Sequence, residues 1–96
     1  MELAIFARFH AREGNEFTIA IVLQEQVAAV RSEPGCLEIH AFRSIRDSRL
    51  CWIHSRWADE AAFDVHAARS RTVAFVSRME ALIDHPFDVT RAAAIA

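Results

Sequence analysis

Residues 3–10 alternate as a β-strand does, yet they leave apolar side chains on both faces. Leu3, Ile5, Ala7 and Phe9 form one side, and Ala4, Phe6, Arg8 and His10 form the other. Side chains of a strand point alternately to opposite faces, so the first set marks a core face. The second set begins apolar and turns polar. A fold that accepts this strand must pack something against one sheet face and still account for Phe6 on the reverse.

Breakers divide the rest of the chain. The strand pattern extends over 3–12 and stops at Gly14-Asn15, where Asn15 is a candidate helix cap. Residues 16–32 read as a helix with Ile19, Leu23, Val27 and Val30 in one stripe, ended by Glu33-Pro34-Gly35. Residues 36–44 and 50–57 read as the strands of a hairpin around a polar turn of two to four residues within Arg46–Arg49. Leu37, Ile39 and Ala41 are expected on its core face, with Glu38, His40 and Phe42 opposite. Asp59 is placed to cap a short helix over 60–68, and Ser70 a second one over 71–84 with Phe75, Val76, Met79, Leu82 and Ile83 in its stripe. His85-Pro86 stops it, and 87–91 reads as a last strand. The order βαββααβ predicts an α+β, ferredoxin-like fold: a four-stranded antiparallel sheet with its helices on one face.

A length of 96 residues supports one domain, 1–96. Hydrophobic residues make up 53% of it, more than one helix-covered sheet face absorbs. If the hairpin keeps parity, Trp52 and His54 join Phe6, Arg8, His10, Glu38, His40 and Phe42 on the uncovered face. A sheet face carrying several large apolar groups is rarely left in water. The sequence therefore predicts a homodimer packed through this face.

The charge of −2 gives nucleic-acid binding no electrostatic support. All 11 basic residues are Arg, which excludes a catalytic lysine and a P-loop, and the absence of Tyr excludes a tyrosyl acid. No apolar run is long enough to span a membrane. The N-terminus lacks a basic leader, and Cys36 and Cys51 read as free thiols, so a cytoplasmic location is expected. His10, His40 and His54 share a strand face, where interface hydrogen bonding outweighs metal binding as a reading. Arg8, Arg43 and Arg56 read as solvated or interface residues ahead of an anion site. His66 is the candidate for chemistry. It lies on the apolar face of its helix with Ala62 and Phe63, and a histidine so placed can act as general base near neutral pH. Against that stand a core histidine bonded to a carbonyl and a histidine favoured by the helix C-terminus. From spacing alone, Trp57 is an anchor, and Phe75 and Met79 are core.

Two segments carry a resemblance. Glu33-Pro34-Gly35-Cys36-Leu37 leads into a strand, and Trp57-Ala58-Asp59-Glu60-Ala61-Ala62-Phe63-Asp64-Val65-His66 has the form Trp-x-Asp-x-x-x-Phe-x-x-His. Together with the opening strand, they resemble the antibiotic biosynthesis monooxygenase family. The resemblance implies a dimeric α+β barrel with a pocket between helices and sheet, here among Phe9, Trp57, Phe63, His66, Phe75 and Met79. It implies a cofactor-independent monooxygenase that oxidises a small phenol or quinol with molecular oxygen, with His66 as base and no metal. The haem-degrading branch is not implied, because its Asn, Trp and His positions are Ala7, His66 and Val76 here. The best-understood polyketide oxidisers use Trp, Asn and Tyr, and this chain has no Tyr and no Asn beyond Asn15. The alternative is a non-catalytic dimer of the same fold that binds a small ligand, such as a stress-response module.

Overall fold

The computed structural model describes residues 1–96. In chain order the elements are β1 (Leu3–His10), α1 (Glu16–Val30), β2 (Cys36–Arg43), β3 (Leu50–Trp57), α2 (Glu60–Ala68), α3 (Ser70–Glu80) and β4 (Asp88–Ala92). The strands form one antiparallel sheet in the order β2-β3-β1-β4, the ferredoxin-like arrangement expected from the breakers.

Register decides which side chains share a face. On one side Ile5 pairs with Ser55, Ala7 with Ile53 and Phe9 with Cys51. Ile39 and Val89 continue this face on the outer strands. Against it α1 packs Ile19, Val22, Leu23, Val27 and Val30, and α3 packs Met79. Trp57, Phe9, Ile19 and Met79 are the largest fully buried side chains. On the other side Phe6 lies opposite His54, Arg8 opposite Trp52, and Phe42 opposite Trp52 from the far strand. No helix covers this face, and Phe6 and Phe42 keep 48% and 53% of their surface exposed.

Several local expectations change. A bulge between Cys36 and Glu38 sets Cys36 opposite Trp57 and leaves Leu37 exposed, so Cys36 rather than Leu37 lies on the helix side. Ala41 keeps the expected parity but is exposed near the end of the sheet. The hairpin loop spans 44–49, longer than two to four residues, because the Ser44 hydroxyl accepts from the amides of Arg46 and Asp47 and builds its own turn. Asn15 makes no cap. Its amide instead donates to the Leu82 carbonyl at 3.4 Å and ties α1 to the segment after α3. Ser70 opens α3 without a capping bond, and that helix ends at Glu80 rather than 84. Ile83 leaves it to bridge with Ala11. β1 stops at His10, and β4 runs one residue later than expected.

Candidate functional site

Between the sheet and the helices lies a cavity of about 230 Å³. Its floor is odd-numbered strand side chains: Ile5, Ala7 and Phe9 of β1, Ile39 of β2, Ile53 and Ser55 of β3, and Val89 of β4. Its walls come from Phe63, His66 and Ala67 of α2, Thr72, Phe75 and Val76 of α3, and Gln26 of α1, with Phe87 beside them. Such a site is mostly apolar with a few placed polar groups, the usual make-up of a small-molecule pocket.

The aromatic residues are set by contact with one another. Phe9 meets Phe75 edge-on at 6.1 Å and stacks on Phe87 at 5.2 Å. Phe63 carries the Arg91 guanidinium over its ring at 4.9 Å. Of the residues expected from sequence, Phe9, Phe63, His66 and Phe75 line the cavity. Trp57 and Met79 do not line it; both are fully buried in the core around it. Trp57 acts from behind: its ring lies 4.7 Å from that of His66, and its indole N–H donates to the Ser55 hydroxyl at 3.0 Å.

His66 is held from two directions. The turn 31–35 that ends α1 carries Glu33 to within 2.8 Å of His66 Nδ1, where Glu33 Oε1 accepts. Arg69, just past α2, reaches the same oxygen at 3.2 Å. The side chains of Glu33 and His66 are only 9% and 11% exposed, while Arg69 reaches in from the surface at 42%. Thr72 Oγ1 lies 3.5 Å from Nδ1 at the limit of a bond. With a carboxylate accepting at Nδ1, the neutral form of the ring carries its proton there and has its lone pair on Nε2. Nothing in the protein bonds Nε2.

The Glu33-Pro34-Gly35 segment makes this geometry. Gly35 adopts φ +84° and lies so close to α2 that a Cβ would come within 2.5 Å of the Ala62 Cβ. Its carbonyl accepts from Ala58 N at 2.8 Å. Asp59 then caps α2 by accepting from Ala62 N at 2.8 Å, as its position predicted. Sequence reasoning took Glu33 for part of a stop signal and overlooked Gln26. The signals were present: Glu33 belongs to the same motif pair as His66, and Gln26 falls three residues after Leu23 on the buried stripe.

The sheet histidines do not converge on a metal site. His40 and His54 sit opposite each other on the uncovered face, but His10 turns away. His10 Nδ1 bonds Asp84 at 2.7 Å and Nε2 bonds Asp47 at 2.9 Å. Donor atoms of His10, Asp84 and His85 do lie within 4.8 Å of one another. There Arg49 already bonds the Asp84 oxygen at 3.0 Å, and His10 is committed to two carboxylates, so the cluster is read as an ion-pair network. Arg56 is likewise engaged, with Glu2 and Glu38. Arg43 reaches the Glu16 carbonyl. Cys36 and Cys51 are free, and burial pushes both thiols up, away from nucleophilic use. No helix is long and apolar enough to cross a membrane.

A family model described as antibiotic biosynthesis monooxygenase matches residues 3–78. Among solved structures, Rv0793 from Mycobacterium tuberculosis superimposes with a TM-score of 0.92 at 21% identity, covering 100% of this chain and 97% of that one. PA3566 from Pseudomonas aeruginosa gives 0.89 at 26% identity, covering 99% and 95%. A variant of SnoaB, a cofactor-independent oxygenase from Streptomyces nogalater, gives 0.88 at 18% identity, covering 99% and 94%. A sequence search of curated proteins finds no match.

Proposed function

Because the chain belongs to the antibiotic biosynthesis monooxygenase family, we propose that it is an oxygenase of small phenolic or quinol-type aromatics that uses molecular oxygen and no bound cofactor. The observation that carries this reading is the free Nε2 of His66, on a side chain that lines an apolar cavity while Glu33 holds its other nitrogen.

The chemistry follows from that arrangement. His66 Nε2 takes the hydroxyl proton of a bound phenol, and Glu33 stabilises the imidazolium that forms. Charge in the phenolate spreads to the para carbon. That carbon adds O₂ to form a C–O bond, and the resulting peroxide takes a proton. Loss of the ring hydrogen with cleavage of the O–O bond releases water and leaves a second carbonyl. The sum is phenol plus O₂ giving quinone plus water. The substrate supplies all four electrons that O₂ takes up, so no outside reductant enters the balance. The apolar walls favour the flat ring and keep bulk water from the carbanion. We include in the proposal that the working unit is a homodimer joined through the uncovered sheet face.

An oxygen electrode with a panel of naphthols and dihydroxybenzenes tests the reaction. His66→Ala is expected to lower kcat by about 10²–10⁴-fold, the usual contribution of a general base, while leaving the fold intact. Unchanged turnover in that variant overturns His66 as the base. Ligand-induced thermal stabilisation with no oxygen uptake across the panel overturns the oxygenase reading in favour of a binding module.

A further inference from the structure

Gln26 is the only polar side chain on the buried stripe of α1, among Ile19, Val22, Leu23, Val27 and Val30. It is 6% exposed, and its amide makes no hydrogen bond within the protein. A buried amide without a partner costs free energy, and buried polar groups are almost always paired. No side-chain polar atom in this chain is both sealed from solvent and unpaired, so the Gln26 amide keeps an open side. Gln26 lines the cavity and, with Phe75, also borders the groove between α1 and α3.

The other polar groups of the cavity each have a neighbour within the protein. The Ser55 hydroxyl accepts from Trp57, Thr72 lies beside His66, and His66 Nδ1 is committed to Glu33. Two groups remain whole for a ligand: Nε2 of His66 on α2 and the amide of Gln26 on α1. Helices on different sides of one small cavity thus offer a base and an amide. An amide carries both donors and an acceptor. It can therefore accept from a hydroxyl and, after a rotation, donate to a carbonyl.

Resting on the oxygenase reading above, we propose that Gln26 is a specificity-determining residue that hydrogen-bonds a second oxygen of the substrate. The site then selects aromatics with two oxygen substituents over those with one. His66 meets the hydroxyl that is deprotonated. Gln26 holds the other oxygen and fixes the ring in the plane of the cavity.

The test is anaerobic calorimetry on the full chain with two probes that differ in one hydroxyl and both keep a hydrogen on the carbon para to the first, 1,5-dihydroxynaphthalene and 1-naphthol. The unaltered chain is expected to bind the diol roughly tenfold more tightly, the scale of one hydrogen bond. Gln26→Leu should abolish that preference by weakening the diol alone, and it should melt no earlier than the unaltered chain because it removes an unpaired amide. Gln26→Met is the second variant if Leu does not fold. Equal weakening of both probes, or an unchanged preference, overturns the role of Gln26. A lower melting point for both variants also overturns it, since the amide then has a partner within the protein. Failure of both probes to bind the unaltered chain sinks the pocket reading itself, which separates that failure from a failure of Gln26 alone.

Discussion

At the scale of single residues, the chemistry turns on which nitrogen of His66 carries the proton. Glu33 Oε1 at 2.8 Å can only accept, so it fixes the proton on Nδ1. Glu33→Gln keeps the shape but can present an N–H to Nδ1, which moves the proton to Nε2 and removes the base. Turnover is expected to fall at least about tenfold, with substrate affinity little changed; equal kcat in steady-state assays would remove Glu33 from the mechanism. A second prediction concerns His10. Hydrogen bonds to Asp84 and then Asp47 raise its pKa above the ordinary 6.5. The folded state therefore holds this proton more tightly than the unfolded chain does. That stabilisation is complete below pH 6.5 and fades as pH rises through the raised value. On the acid side the His10 bonds lower Asp84, and a backbone bond from Arg49 together with His10 lowers Asp47, so their contribution is lost as pH falls below 3.8 toward the lowered values. The groups are partly exposed and screened by solvent, and the effect is small. In melting curves taken from pH 6 upward, His10→Gln should flatten the alkaline decline; an identical slope counts against the linkage. Glu33 and Gln26 were the residues least legible beforehand. A carboxylate in a breaker segment reads as surface, and nothing local says that the turn folds it back under a helix.

At the scale of elements, the alternation of β1 and β3 was readable because each strand has one face against helices and keeps strict parity there. β2 was only partly readable. Its bulge shifts one residue without leaving a mark in the hydrophobic pattern, since Cys36 and Leu37 are both apolar. α3 was read too long because Leu82 and Ile83 continue the helical spacing, although Ile83 serves a strand-like bridge instead. The α1–β2 turn is the element on which the site depends most, and Gly35 is its hinge point. Both the positive φ and the approach to Ala62 demand glycine there. Gly35→Ala should destabilise the fold by about 1–3 kcal/mol and push α2 away from Glu33. Denaturant melts then show a lower midpoint, and turnover falls even under conditions where the variant is folded. A variant as stable as the unaltered chain would mean that α2 shifts freely and does not lock the dyad.

At the scale of the whole molecule, the question is what covers the second sheet face. Phe6 and His54 meet as tilted rings at 4.9 Å, Phe42 pairs with Trp52, and His40 adjoins Phe42 at 6.2 Å. Arg8, Arg56 and Glu38 flank this apolar centre on the same face. An apolar middle with a charged rim is the anatomy of a protein interface. The patch lies on a regular sheet with twofold-compatible charges of both signs, so a second copy is a fitting partner. In a twofold dimer each substitution acts twice. Phe42→Glu would bury two carboxylates in the apolar centre of the interface, and desolvating them is costly. The unaltered chain is expected to sediment as a dimer at micromolar concentration. Phe42→Glu should weaken that dimer by at least about 100-fold, equivalent to roughly 2.7 kcal/mol, and sediment as a monomer with its helical circular dichroism retained. Phe17→Glu, on an exposed position of α1 remote from this face, is the control that should leave the dimer unchanged. A monomeric unaltered chain, or a Phe42→Glu variant that stays dimeric, would mean that the sheet face is covered by something other than a second copy. The cavity lies on the opposite side of the sheet, so a folded Phe42→Glu monomer that still binds 1-naphthol would separate assembly from the pocket, and loss of that binding would show that the two faces are coupled through β1 and β3.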